Sequence, residues 1–145
     1  MTEATYQSRA SLSPIVGIAQ ADLAAFLLRV SMGVLFFAHA WLKIVIFTPA
    51  GTAAYFGSLG LPPALAYVVI AMELLGGIAL ILGLWSRWVS LALVPILLGS
   101  IWTTHGDAGF FFSNPGGGWE FPAFWAVALM VQALLGNGAL ALGRR

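Results

Sequence analysis

The sequence has no cysteine, two histidines and few charges, with six Lys or Arg and five Asp or Glu among 145 residues and a net charge of +1. Without thiols the chain has no disulfide, thiolate zinc site, iron–sulfur cluster, c-type haem attachment or thiol redox chemistry of its own. With only His39 and His105 as imidazole donors, a transition-metal shell would have to be completed by carboxylates, so no metal site is expected. The shortage of basic residues excludes nucleic acid as a partner, because no patch could displace enough phosphate counterions to drive binding. It also excludes a water-soluble monomer, since 8% of residues are charged where soluble domains carry about a quarter.

What is present is apolar. Hydrophobic residues make up 61% of the chain and its mean hydropathy is +0.97. A fold of this size leaves roughly a third of its unfolded surface exposed, so the solvent for that surface must be lipid. Apolar stretches at residues 22–47, 64–85, 88–104 and 121–142 approach or exceed the ~20 residues that cross a bilayer as helix. They predict an all-α integral membrane protein, an up-and-down bundle of four transmembrane helices. Pro95 removes one backbone hydrogen bond from the third stretch and predicts a kink there. Residues 48–63, punctuated by proline and glycine, read as a loop, Ser86 and Arg87 as a two-residue turn, and the glycine-rich residues 105–120 as a second long loop.

Ala19-Gln20-Ala21 superficially resembles a signal-peptidase site, but the apolar stretch before it is short and broken by Pro14 and Gly17. Residues 1–21 therefore read as an uncleaved cytoplasmic tail or interfacial segment, and 22–145 as one membrane domain. Arg9, Arg87, Arg144 and Arg145 fall on one side of the predicted spans, and the two loops opposite carry no Lys or Arg. The positive-inside rule then places both termini in the cytoplasm. Trp102, Phe110, Phe111, Phe112 and Trp119 suit an aromatic belt at the outer interface.

The candidate functional residues are the charges inside the apolar stretches, each of which costs about 2.5–3.5 kcal/mol near the bilayer centre on insertion scales. Arg29, His39 and Lys43 lie on one stripe of the first span, within an arc of about 100°. Counting depth at about 1.5 Å per residue pairs Arg29 with Glu73 of the second span, and Lys43 with Glu120 at the outer mouth of the fourth. Gly76, Gly77 and Gly83 beside Glu73 mark a close helix-packing face. Gln132 reads as an interhelical hydrogen-bond donor, and His105 as a capping or loop residue. An architectural reading makes the two pairs a register lock and an interfacial clasp. A functional reading makes the stripe the lining of a polar pocket for an anionic or quinone-like ligand, with Glu73 handling a proton and His39 able to titrate near neutral pH.

Arg29-x-x-x-Gly33, His39-Ala40-x-x-Lys43, Tyr55-Phe56, Leu59-Gly60-Leu61-Pro62, Glu73-x-x-Gly76-Gly77, Leu82-Gly83, Arg87 and Gly117-Gly118-Trp119-Glu120-Phe121-Pro122 occur in that order along the chain. In order and spacing they resemble the DoxX family of small bacterial membrane proteins. The resemblance implies a four-helix protein of the bacterial inner membrane, associated with oxidoreductase systems, with Arg29, His39, Lys43, Glu73 and Glu120 at the family's polar positions. It implies no covalently held cofactor and points to redox-protein partners, with quinone as the candidate ligand, whereas a homo-oligomer is what a transporter built from so few spans would need. The alternatives are a small-solute transporter module and a non-catalytic structural subunit.

Overall fold

The computed structural model describes residues 19–143, and the tail at 1–18 and the two terminal arginines lie outside them. All of the regular elements described are helical. Helix α1 (Gln20–Trp41) runs without a break into a π-helical turn (Leu42–Ile46), closed by a bond from the Phe47 N–H to the Leu42 carbonyl at 3.0 Å. Helix α2 (Pro49–Ser58) follows, then α3 (Leu65–Leu82), α4 (Ser86–Ser100) with a π-helical extension (Ile101–His105), and α5 (Glu120–Leu135). The helical segments Gln20–Ile46, Leu65–Leu82 and Ser86–Ala108 are long and apolar enough to cross a membrane.

Three expectations need correction. Residues 48–63 are not merely a loop. Thr48 caps a helix by accepting the Gly51 N–H at 3.1 Å, and Pro49 at the first helical position has no N–H to leave unpaired. The turn between the second and third apolar stretches is made by residues 83–85, with Gly83 at φ +73° and Trp85 at φ +46°, while Ser86 and Arg87 already open α4. The fourth apolar stretch is helical for only 16 residues, or about 24 Å at 1.5 Å per residue, against a hydrocarbon core of about 30 Å. It stops at Gly136 (φ +81°), whose carbonyl accepts from Gln132 Nε2 at 2.7 Å. Gln132 thus closes its own helix instead of bridging to another.

From Gly136 the chain folds back as a strap across one end of the molecule. The Ala139 N–H donates to the Asp22 carbonyl at 2.9 Å, and the Leu142 N–H to the Leu82 carbonyl at 3.0 Å. This ties the start of α1 to the end of α3. Gly138 (φ +67°) passes so close to α1 that a Cβ there would lie 2.6 Å from the Ala25 Cβ.

Helix α1 packs chiefly on α3, and α4 on α5, with further contacts between α3 and α4 and between α1 and α5. Met32, Phe36, Leu80, Leu93, Leu97, Trp125 and Leu129 form the core where these helices meet. The α1–α3 approach is set by two facing glycines. A Cβ on Gly33 would lie 2.8 Å from the Gly77 carbonyl oxygen, and one on Gly77 would lie 2.8 Å from the Phe37 nitrogen. Small residues let helix backbones approach where lipid supplies no hydrophobic drive between them. Gly33→Ala or Gly77→Ala is expected to destabilise the protein by about 1–3 kcal/mol through overpacking. Gly99→Ala, where a Cβ meets open space, should change stability by less than about 0.5 kcal/mol. Reversible unfolding in mixed micelles with rising SDS fraction measures both.

Candidate functional site

The buried charges separate into two groups at different levels of the α1–α3 pair. Arg29 is fully buried, yet its guanidinium meets no carboxylate among the described residues. It donates from Nη1 to the carbonyls of Leu80 (2.7 Å) and Ile81 (2.8 Å) and from Nη2 to the carbonyl of Ala139 (3.0 Å). The last carbonyls of a helix lack intrahelical partners and carry its negative dipole end. Arg29 therefore caps α3 and anchors the strap at once, and Gly83 leaves it room, since a Cβ there would lie 2.6 Å from Nη1. The expected Arg29–Glu73 pair is not formed.

Glu73 instead belongs to Lys43. Lys43 Nζ lies 2.8 Å from both carboxylate oxygens, with the Glu73 side chain only 5% exposed. Helical side chains lean toward their own N-terminus, so the Lys43 stem reaches back along α1 to a carboxylate that a count of helical rise sets well below it. Lys43 also sits in the π-helical turn, whose carbonyl at Lys43 takes a bond from the Thr52 hydroxyl of α2 at 3.4 Å. Extra-residue turns of this kind re-aim side chains and recur at functional sites.

His39 lies one helical turn before Lys43 on the same face of the first span. Its Nδ1 is 2.8 Å from the Leu35 carbonyl oxygen. A carbonyl only accepts, so Nδ1 carries the hydrogen, and in the neutral ring Nε2 is left as an acceptor. Trp125 of α5 meets the His39 ring edge-on, with centroids 5.0 Å apart, and also packs on Phe36 at 4.6 Å. The sequence reading missed Trp125. Its signal was an indole N–H in the first turns of the fourth apolar stretch, and in the structure that N–H is buried without a hydrogen-bond partner among the described residues.

Glu120 stands apart from Lys43. It opens α5 and accepts the Phe112 N–H at 2.8 Å, holding the loop across the helix start. His105, read as a capping or loop residue, is the last residue of the π-helical extension of α4, with Nδ1 against the Gly117 carbonyl. Of the five candidate residues, the structure thus brings together Lys43, Glu73 and His39, sends Arg29 to the end of α3 and the strap, and leaves Glu120 apart at the start of α5. Three surface clefts, of about 340, 540 and 490 Å³, are lined by other residues than Lys43, His39 and Glu73, and the last of them includes Glu120.

These features define a small, all-helical, multi-pass membrane protein carrying a buried lysine–carboxylate pair flanked by histidine. The DoxX family model matches residues 24–106, and the chain belongs to that family. It is 36% identical over 121 residues, 83% of this chain and 85% of the relative, to a Bacillus subtilis (strain 168) protein named "Putative oxidoreductase CatD". No solved structure matches the chain.

Removing the Arg29 head group takes a donor from three carbonyls, of which only that of Leu80 keeps a backbone partner among the described residues, the Gly83 N–H at 3.1 Å. Arg29→Met is expected to lower stability by about 2–4 kcal/mol. Arg29→Lys should recover only part of that, because a single ammonium cannot match the fork that reaches two chain segments. SDS-driven unfolding of the three proteins in parallel measures the order.

Proposed function

We propose that this chain is a membrane-embedded subunit or partner of an oxidoreductase system, in which Lys43, Glu73 and His39 form a polar site that exchanges a proton with a quinone-like or anionic small ligand. The observation that carries this reading is the pair itself. A carboxylate sharing both oxygens with one ammonium, inside apolar helices and next to a histidine with a free ring nitrogen, is chemistry that packing does not require. The relative named as an oxidoreductase supports the same direction. In this reading α5 completes a four-helix, up-and-down membrane domain in the bacterial inner membrane, with both termini cytoplasmic. Redox proteins or further copies of the chain supply what it lacks, because it holds no thiol of its own.

A purely structural role has one observation in its favour: each buried charge has a partner, Arg29 in carbonyls and Lys43 in Glu73. The two readings separate experimentally. In nanodiscs titrated with a short-chain ubiquinone and followed by tryptophan quenching, the native protein should bind saturably, and Glu73→Gln should weaken binding about tenfold or more. The paired replacement Lys43→Met with Glu73→Leu removes both charges together and should stay folded. It should nonetheless fail to restore a deletion strain under oxidant stress. Full restoration by the paired variant, or no quinone binding by the native protein, would leave only the architectural role.

A further inference from the structure

The third cleft lies far from the strap, at the start of α5. Its volume is about 490 Å³, and its walls are Phe110, Phe112, Trp119, Phe121 and Phe124 around Glu120. The walls are held by one another. Phe110 meets Trp119 edge-on at 4.8 Å, Phe112 packs on Phe121 at 5.4 Å, and Phe121 rests on the buried Trp125 at 5.7 Å. Backbone bonds close the loop beneath them, from the Trp119 N–H to the Gly109 carbonyl and from the Glu120 N–H to the Phe110 carbonyl, both at 3.0 Å.

One Glu120 oxygen is engaged by the Phe112 N–H at 2.8 Å, and the other takes no hydrogen bond from the described residues. None of the described cations pairs with it. Lys43 is committed to Glu73 and Arg29 to carbonyls, and Arg87 reaches toward Leu134 at the other end of α5. Aromatic faces attract cations through their quadrupoles, and a carboxylate among them favours a positive head group over an anion or a neutral ring. The cleft also opens onto an apolar track. Phe124, Val127, Val131 and Leu134 are exposed along one stripe of α5, Phe124 at 72% and Leu134 at 79%.

A cation-attracting cup at the head of an apolar track matches an amphiphile with a positive head and a hydrocarbon tail. We propose that this cleft is a binding site for the ammonium head of a zwitterionic phospholipid, whose acyl chain lies along the exposed face of α5. Glu120 supplies the countercharge and the phenyl and indole rings a cation–π seat, and neither is needed for the Lys43–Glu73 chemistry.

The test uses the full chain in a neutral maltoside micelle, titrated separately with dihexanoyl phosphatidylethanolamine, dihexanoyl phosphatidylglycerol and free ethanolamine. Thermal unfolding and tryptophan emission report binding. The ethanolamine lipid should bind saturably and raise the unfolding temperature, and the glycerol lipid and free ethanolamine should do so about tenfold less effectively. Glu120→Gln keeps an oxygen for the Phe112 N–H and should preserve the fold, while weakening the ethanolamine lipid about tenfold. Phe110→Leu should weaken it without changing the response to short-chain ubiquinone. Equal response to the anionic lipid would overturn the proposal, as would free ethanolamine matching the lipid, or Glu120→Gln binding like the native protein.

Discussion

A charged side chain inside hydrocarbon has no water to turn to, so it must find its partner within the protein. The arrangement of this molecule follows from how that demand is met. Lys43 and Glu73 neutralise each other between the first span and α3, and Arg29 directs its charge into carbonyls at the end of α3 and in the strap. Neither solution works unless the two helices lie very close. The Gly33–Gly77 contact between the two polar levels provides that approach.

The same demand explains the strap. A helix ending at Gly136 leaves carbonyls unpaired, as does the end of α3. By folding back, residues 136–143 offer N–H groups to the carbonyls of Asp22, Leu82 and Gly83 and take one guanidinium bond at Ala139. One short segment thus satisfies carbonyls at the end of α3 and ties that end to the start of α1. At the opposite end the loop between α4 and α5 closes on its own backbone and on Glu120.

The residues that matter were legible in the sequence because desolvation singles them out. Arg29, His39, Lys43 and Glu73 are charges or potential charges in apolar runs, and all four are engaged in the structure. Their pairing was not legible. A rise of about 1.5 Å per residue gives the depth of a Cα, whereas a lysine head group sits several ångströms from its Cα, along a direction set by the helix. The rival partner for Arg29, a row of backbone carbonyls, leaves no mark in the sequence at all. Local chemistry misled in a different way. Gly136 and Gly138 lie within an apolar run, and hydropathy averages them into a span, although their positive φ values end the helix. Pro49 was counted as a breaker, yet a proline following a capping threonine opens a helix.

The choice of cation at each level carries a chemical distinction. A guanidinium stays charged under all conditions a protein meets, and its planar fork suits carbonyls on two separate segments. That is what the Arg29 position requires, where a change of charge would release α3 and the strap together. An ammonium hydrogen-bonded to a carboxylate at 2.8 Å can instead pass its proton across, leaving two neutral groups that hydrocarbon tolerates far better than two ions. His39, with its hydrogen committed to Leu35, offers a further acceptor beside them. The α1 stripe therefore holds a guanidinium where the fold needs anchoring and an ammonium paired with a carboxylate where the backbone is wound into a π-helical turn.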